Sequence, residues 1–124
     1  MFQVTREIDF CYGHRVPDDP DCRHLHGHNG RAVITLQAEQ LDELGMVLDF
    51  SEIKQVVASW IDEHLDHHMI LWREDPAVPY LQELQEPLFL TDEPPTRESI
   101  AQTIFQFTRD QGFPIVDCTL VDSL

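Results

Sequence analysis

Four of the seven histidines of this 124-residue chain, His14, His24, His26 and His28, lie within fifteen residues of one another. Side chains of an extended segment repeat every two residues, so His26 and His28 point to one side. Three neutral imidazoles that converge from two strand ends are a typical ligand set for catalytic zinc, with a fourth position open. His24 would need a very tight loop, so His14, His26 and His28 are the predicted ligands. Surface or capping histidines remain the alternative.

A thiol and a carboxylate–imidazole pair could move protons beside such an ion. Cys22 lies four residues before His26 and next to Arg23. The Arg23 guanidinium and a nearby zinc ion would both favour its thiolate. That thiolate could serve as a ligand, a nucleophile or a general base. Asp66 and His67 end a predicted helix, and a carboxylate there can fix the tautomer of the histidine. An ordinary C-terminal helix cap is the alternative interpretation.

Two strands must position these histidines. Apolar and polar residues alternate from Phe2 to Phe10, and a second alternating segment runs over 31–39. The loop between them, residues 16–30, is rich in Pro, Asp, His and Gly, and a loop of that length is usually functional. Short strands are predicted at 45–48 and 115–122.

Two helices complete the predicted α+β layer, in which helices cover one face of an antiparallel sheet. Asp49 caps the first helix, and Thr96 caps the second. His64 falls on the apolar face of the first helix and is predicted to be a core histidine. The proline-rich segment 73–95 is predicted to be mostly loop.

Composition limits the possible partners. The chain has 42% apolar residues and one domain's length, residues 1–124, and it has no apolar run long enough to span a membrane. Its net charge of −15 disfavours nucleic acid and anionic membranes. The N-terminus lacks the pattern of a signal peptide, so a cytoplasmic location is expected. Half of the eight basic residues precede residue 36, which favours that segment for anion binding.

The three cysteines, Cys11, Cys22 and Cys118, are predicted to be free thiols. Cys118 lies in an apolar stretch and is predicted to be a small buried side chain.

Five ordered motifs resemble the 6-pyruvoyl-tetrahydropterin synthase and 6-carboxy-tetrahydropterin synthase family. They are Phe-x-x-x-His at 10–14, Cys-x-x-x-His-Gly-His at 22–28, Gly-Met-Val-x-Asp-Phe at 45–50, Leu-Asp-His at 65–67 and Pro-Thr-x-Glu at 95–98. The three-residue gap between the cysteine and His-Gly-His resembles the bacterial 6-carboxy branch, which feeds queuosine synthesis. The five motifs are spread along the chain from residue 10 to residue 98.

The resemblance implies the tunnelling fold, a four-stranded antiparallel sheet with two helices on one face. It also implies rings of subunits that stack into a homohexamer (a dimer of trimers) with interfacial sites. Zn²⁺ would be held by His14, His26 and His28. Cys22 would be the proton-abstracting thiolate.

The implied substrate is 7,8-dihydroneopterin triphosphate, with Asp66 and His67 as a second proton relay. The product of the 6-carboxy branch is 6-carboxy-5,6,7,8-tetrahydropterin, and triphosphate and acetaldehyde are released. The predicted substrate contacts are Asp122, Glu98 and Thr96 for the pterin and Arg15 and Arg23 for the triphosphate.

Asp122-Ser123 stands where the family has Glu-Thr, and the carboxylate is one methylene shorter. This difference favours a second hypothesis, a related synthase that uses a different pterin or gives 6-pyruvoyl-tetrahydropterin. Two further hypotheses belong to other classes. One is a zinc-binding assembly module without catalysis, and the other is a thiol hydrolase that uses Cys22 with His67 and Asp66.

Overall fold

The computed structural model describes residues 1–123, and a long two-stranded ladder forms its centre. Strand β1 (Phe2–His14) pairs antiparallel with β2 (His26–Ala38), and the register sets Tyr12 opposite His28 and His14 opposite His26. Even-numbered side chains face the core and odd-numbered ones face outward, as the alternation predicted. The ladder therefore carries the predicted histidines to one end of one face.

Three more strands extend the sheet on both sides. Strand β3 (His68–Trp72) runs parallel to β1, β4 (Leu88–Thr91) runs parallel to β3, and β5 (Ile115–Asp122) runs antiparallel to β2. The order is β4-β3-β1-β2-β5. The fold is α+β as predicted, but the predicted four-stranded antiparallel sheet is wrong, because the sheet is five-stranded and mixed.

The two parallel strands left no periodic signal in the sequence. Ile70 and Leu71 are neighbours in β3 and both are buried, so β3 lacks the alternation of a half-exposed strand. Strand β4 has only four residues and follows Pro87 directly. Its segment was therefore predicted to be loop.

Two helices cover the inner face. Helix α1 (50–64) begins at Asp49, whose carboxylate accepts from Ser51 N, and contains a wide π-helical turn over Lys54–Ala58. Helix α2 (Val78–Glu83) lies in the segment predicted to be loop. Helix α3 (Arg97–Asp110) begins at Thr96, whose hydroxyl accepts from Ser99 N. Both predicted caps are confirmed.

One buried cluster joins the sheet to α1 and α3. Its members are apolar side chains from the inner face of β1, β2, β3 and β5 and from the facing helices: Phe10, Tyr12, Ala32, Ile34, Leu36, Ile53, Val57, Ile61, Leu65, Ile70, Ile100, Ala101, Ile104, Ile115 and Leu120. This core fixes the inner face on which the histidines lie. Within residues 1–123, no helix is both long and apolar enough to cross a bilayer.

Two local predictions are wrong. Residues 45–48 form no strand, because the Asp42 carboxylate accepts from the backbone N–H groups of Leu44 and Met46 and Gly45 turns the chain with φ +79°. His64 is exposed rather than in the core, and its ring stacks on Trp60 at the surface.

Candidate metal centre and active site

Three imidazoles meet at the end of the β1–β2 ladder. His14, His26 and His28, here called the histidine trio, have ring centroids 4.5 to 5.0 Å apart, and their ligand nitrogens lie within 4.8 Å of one another. The Nε2 atoms of His14 and His28 are 3.2 Å apart. Two ligands of one tetrahedral zinc ion lie about 3.3 Å apart, given bonds of about 2.0–2.1 Å. The donor set therefore fits a zinc ion.

The backbone orients two of these rings. His14 Nδ1 donates to the Pro95 carbonyl, and His26 Nδ1 donates to the His24 carbonyl, each at 2.7 Å. A hydrogen bond of this kind fixes the tautomer and leaves Nε2 free as the metal ligand. Pro95 lies just before α3, and His24 lies in the loop between β1 and β2. The start of α3 therefore orients one ring, and the loop orients the other.

The third ring is oriented by a carboxylate. His28 Nδ1 lies 3.5 Å from Asp122 Oδ1, at the end of β5. The other oxygen of Asp122 accepts from Arg97 Nη2 at 2.8 Å. The predicted pterin anchor is therefore already paired, on one side with a predicted metal-ligand histidine and on the other with an arginine.

Burial favours the neutral, metal-binding form of two of these histidines. It lowers the pKa of His14 below its ordinary value, and the Pro95 carbonyl offsets this only partly. Burial also lowers the pKa of His28, although the Asp122 carboxylate acts in the opposite sense. A ring without a proton on Nε2 can accept an ion without first losing one.

Tyr12 forms the floor beside the trio, its ring centroid 5.3 Å from that of His14 and 5.5 Å from that of His28. Its hydroxyl is buried and has no hydrogen-bond partner within residues 1–123. Burial raises the pKa of Tyr12, and the nearby Arg97 guanidinium acts to lower it. A buried hydroxyl without a partner is costly, so this group is available to a ligand.

A second cluster lies on the opposite face of the ladder. Cys11, Asp66 and His67, here called the thiol cluster, offer a sulfur, an oxygen and a nitrogen within 4.8 Å of one another. Asp66 Oδ2 lies 3.0 Å from His67 Nδ1, which is the predicted carboxylate–imidazole pair. Cys11 faces outward, because it alternates with the buried Phe10 and Tyr12.

The charge of the Asp66 carboxylate is stabilised by its partners. Partial burial acts to raise the pKa of Asp66, but the Cys11 N–H and the His67 ring outweigh it and hold the pKa below its ordinary value. Asp66 therefore stays ionised and presents a negative charge to the His67 ring.

Cys22 belongs to neither cluster within residues 1–123. It lies in the loop between β1 and β2, where its carbonyl accepts from Val16 N and its N–H donates to the Asp19 carbonyl. The predicted reactive thiol is thus held by a tight turn, and within one chain Cys11 is the thiol next to Asp66 and His67.

The two predicted arginines have different surroundings. Arg15 Nε donates to Asp75 Oδ2 at 2.8 Å, and the Asp75 side chain is fully buried. This carboxylate raises the pKa of Arg15 and neutralises its charge. Arg23 accepts from Arg15 through its backbone carbonyl, and its own side chain is exposed.

Thr96 and Glu98 lie at the start of α3, beside the trio's outer partners. Glu98 lines a cavity of about 460 Å³ between α3 and β5, together with Arg97 and Thr119. The Thr96 hydroxyl accepts a hydrogen bond from Ser99 N and caps the helix. The structure therefore brings Glu98 to an open space and Thr96 to the helix terminus.

Sequence reasoning missed several residues that act through the predicted ones. Arg97 occupies the variable position of the Pro-Thr-x-Glu motif, so the motif drew attention to its neighbours instead. The Pro95 carbonyl is a backbone group and leaves no signal in the residue type. Asp75 lies in the segment predicted to be loop, where an acidic residue is unremarkable.

The architecture and the site define a class of α+β protein with an interior three-histidine centre at the end of a long β-ladder. Residues 3–121 match the family profile described as 6-pyruvoyl tetrahydropterin synthase. The chain belongs to this family.

Curated relatives support the match. The protein from Rickettsia bellii named 6-carboxy-5,6,7,8-tetrahydropterin synthase is 38% identical over 104 residues, which cover 82% of this chain and 75% of the relative. A protein of the same name from Synechocystis is 32% identical over 119 residues, which cover 92% and 80%. The predicted enzyme class, a lyase resembling 6-carboxytetrahydropterin synthase, is confirmed by these relatives.

Solved structures share the fold. An uncharacterised protein from Wolinella succinogenes superposes with a TM-score of 0.78 at 27% identity, covering 99% of this chain and 98% of that one. A Plasmodium vivax 6-pyruvoyltetrahydropterin synthase mutant superposes with a TM-score of 0.67 at 19% identity, covering 89% and 78%. At 19% identity, the second match shows only that the fold is shared.

Proposed function

We propose that this chain is a zinc-dependent lyase that converts 7,8-dihydroneopterin triphosphate to 6-carboxy-5,6,7,8-tetrahydropterin, with release of triphosphate and acetaldehyde, in queuosine synthesis. The observation that carries the proposal is the histidine trio, in which every Nδ1 faces an oxygen and Nε2 is left for an ion. The names of the relatives from Rickettsia bellii and Synechocystis support the product.

The metal would be held by His14, His26 and His28. A zinc ion there would bind the side-chain hydroxyls of the substrate as a Lewis acid and make the adjacent C–H and O–H protons easier to remove. Cys22 is proposed to take one proton as a thiolate. The His67 ring, kept in one tautomer by Asp66 at 3.0 Å, is proposed to transfer the second proton.

The proposed proton-transfer groups lie in separate regions of the chain, and this separation indicates how subunits assemble. Cys22 lies in one region, and Asp66 and His67 lie in another. The pair lies with Cys11 on the outward face of the ladder, while the trio lies on the inward face. Within residues 1–123, one chain therefore does not bring the full set of proton-transfer groups together. We propose a homohexamer, a dimer of trimers, in which neighbouring subunits complete each site.

The substrate contacts follow from charge. Arg23 is the stronger candidate for the triphosphate, because Arg15 is already paired with the buried Asp75 carboxylate. Glu98 is proposed to contact the pterin from the cavity between α3 and β5. Asp122 and Thr96 lie at the same end of the molecule and stay proposed contacts. The chain is proposed to act as one cytoplasmic domain over residues 1–124.

One observation favours a second candidate, a related synthase with a different pterin or with 6-pyruvoyl-tetrahydropterin as its product. Arg97 donates to the Asp122 carboxylate at 2.8 Å, which reduces the negative charge available to the guanidine-like edge of a pterin. A substrate that relies less on that grip would suit this site better.

The test is incubation of the protein, loaded with one equivalent of zinc per chain, with 7,8-dihydroneopterin triphosphate and identification of the pterin product by mass. The expected product is 6-carboxy-5,6,7,8-tetrahydropterin, with acetaldehyde in equal amount. The 6-pyruvoyl product would select the second candidate. No pterin product from the zinc-loaded oligomer would overturn both.

Two variants test the proposed proton-transfer groups, Cys22→Ala and His67→Asn. Each is expected to lower kcat by about 10²–10⁴-fold, the usual contribution of a positioned acid or base, while the first equivalent of zinc, on the histidine trio, stays bound. Asparagine is chosen because His67 has a left-handed backbone, φ +59°, which asparagine tolerates. Cys118→Ser is the matched control for the loss of a thiol, and it is expected to keep its zinc and to lower kcat far less than Cys22→Ala does.

A further inference from the structure

The thiol cluster is held by its backbone. The Cys11 N–H donates to Asp66 Oδ1 at 2.9 Å, and the His67 N–H donates to the Cys11 carbonyl at 2.6 Å. These two bonds lock the turn after α1 onto the end of β1. Main-chain hydrogen bonds therefore place the three side chains beside one another, independently of any ligand.

His67 has a strained backbone at its position in the thiol cluster. Its backbone has φ +59°, the left-handed region that residues with a Cβ rarely adopt. Such conformations persist only where the surroundings enforce them, and they cluster at functional sites. The ring is 77% exposed, so burial of apolar surface does not explain its position.

The donors suit one class of ion. A thiolate, an imidazole and a carboxylate are all ligands of zinc and of similar borderline or soft divalent ions. Asp66 Oδ2 and His67 Nδ1 are 3.0 Å apart, close to the separation of about 3.3 Å between two ligands of one tetrahedral zinc ion. The same comparison holds in the histidine trio, where the nitrogen pair is 3.2 Å apart.

The thiol can reach the same point. Cys11 Sγ lies within 4.8 Å of the other two donor atoms and at present donates to Asn29 Oδ1 at 3.1 Å. Both Cys11 and Asn29 are exposed, so rotation about the Cα–Cβ bond of Cys11 meets no packed core. When an ion binds, the thiol proton leaves to solvent and the sulfur becomes a ligand.

The site is open to solvent on one side. Cys11, Asn29 and His67 line a cavity of about 530 Å³ on the outward face of the ladder. Gly13 and Gly27 line the same cavity, so part of its floor is bare backbone. Cys11 and His67 line this cavity and Asp66 lies beside His67, so the three protein donors leave a fourth position for water, as in other open zinc sites.

We propose that the thiol cluster of Cys11, Asp66 and His67 is a second metal site that takes one thiophilic divalent cation such as Zn²⁺, on the opposite face of the sheet from the histidine trio. The binding does not depend on the proposed function. Its consequence does: an ion on His67 would remove the proposed proton relay, so a second equivalent of zinc would inhibit turnover.

The test is titration of the metal-free protein with Co²⁺, which replaces zinc and reports its ligands by absorption. Two equivalents are expected to bind, and one of them is expected to give the near-ultraviolet charge-transfer band of a thiolate–cobalt bond. Cys11→Ser is expected to abolish the band and the second equivalent. Cys118→Ser is the matched control and should keep both, because burial raises the pKa of Cys118 to about 12.

A second variant keeps the result decisive if the serine variant does not fold. His67→Asn suits the left-handed backbone and is expected to weaken the second equivalent while the first stays unchanged. Binding of one equivalent without a thiolate band would overturn the proposal. A band that disappears in Cys22→Ser and survives in Cys11→Ser would also overturn it and would assign the thiol ligand to the histidine trio.

Failure here and failure of the proposed function give different results. If no second equivalent of cobalt binds, pterin turnover by the parent with one equivalent of zinc is still expected. Absence of turnover leaves the two-equivalent titration unaffected. Each experiment therefore tests one statement.

Discussion

The histidine trio and the thiol cluster lie on opposite faces of the same β1–β2 ladder, and their surroundings differ in one decisive way. In the trio, His14 is buried and each Nδ1 faces an oxygen of the protein. In the thiol cluster, Cys11 and His67 are exposed. A donor set that the fold already orients loses its conformational freedom during folding, whereas an exposed set loses it when a ligand binds.

This difference predicts different affinities. Preorganised nitrogens with fixed tautomers favour tight metal binding, because the ion replaces only water and needs no rearrangement of the rings. The thiol cluster requires a rotation of Cys11 and the loss of its contact with Asn29. We therefore expect the trio to fill first and the thiol cluster to fill only at higher free zinc.

The largest expected effect comes from removing one ligand of the trio. His26→Ala takes away an Nε2 donor from a half-buried position and should weaken zinc binding by more than about 100-fold, beyond the usual cost of losing an outer partner. Turnover should disappear with the metal. Zinc per chain, measured by mass spectrometry of the metal after gel filtration, checks this result.

The matched control for His26→Ala is His24→Ala. His24 is exposed, and it supports the trio only through its backbone carbonyl, which the substitution retains. Full zinc content is expected in His24→Ala. Equal zinc loss in both variants would contradict the assignment of His26 as a ligand.

A smaller effect is expected from the outer partner of His28. Asp122→Asn keeps the shape of the side chain but removes the charge 3.5 Å from His28 Nδ1 and the ion pair with Arg97. Zinc affinity should fall by about 10–100-fold, the usual cost of losing an outer partner. Competition with a chromophoric chelator measures it, and Asp117→Asn on the same strand is the control.

The outcome for Asp122 also separates its two possible roles. A grip on the pterin alone would raise KM and leave zinc affinity at the parent value. An orienting role alone would lower zinc affinity and, in saturating zinc, leave KM unchanged. Parent values for both zinc affinity and KM would remove Asp122 from the site.

The sequence was informative wherever a signal was periodic or chemically specific. The alternation of β1 predicted which face holds His14, and Asp49 and Thr96 predicted two helix starts. Strand β3 was missed because Ile70 and Leu71 are both buried, and a strand buried on both faces has no two-residue period. Short parallel strands depend on their neighbours more than on their own residues.

The candidate site likewise has features that the sequence predicted and features that it did not. Residue types and spacing predicted the trio, because imidazoles at alternate positions on one strand must share a face. They could not predict that Arg97 would pair with Asp122, or that Cys11 would lie beside Asp66 and His67. Those contacts join residues 25 and 55 positions apart, and only the packing of the sheet decides them.

The smallest expected effect concerns the charge of Asp66 in the thiol cluster. Its pKa in the folded protein is held below the ordinary value of 3.8, so the ionised carboxylate stabilises the fold. That contribution is complete above the ordinary value and is lost as pH falls through the lowered folded value. At pH 7, Asp66→Asn should lower the free energy of unfolding by about 1 kcal/mol, or the melting temperature by about 3 °C.

The difference in melting temperature between Asp66→Asn and the parent should shrink as pH falls below about 4, because the unfolded parent then takes up a proton at Asp66. Below the lowered folded pKa, both proteins carry a neutral side chain at this position. Glu63→Gln, an exposed change near the end of α1, is the control and should show little difference at either pH. A difference that persists unchanged at pH 3 would mean that shape rather than charge determines the contribution of Asp66. The thiol cluster would then lack the electrostatic support that the ionised carboxylate gives to the His67 ring.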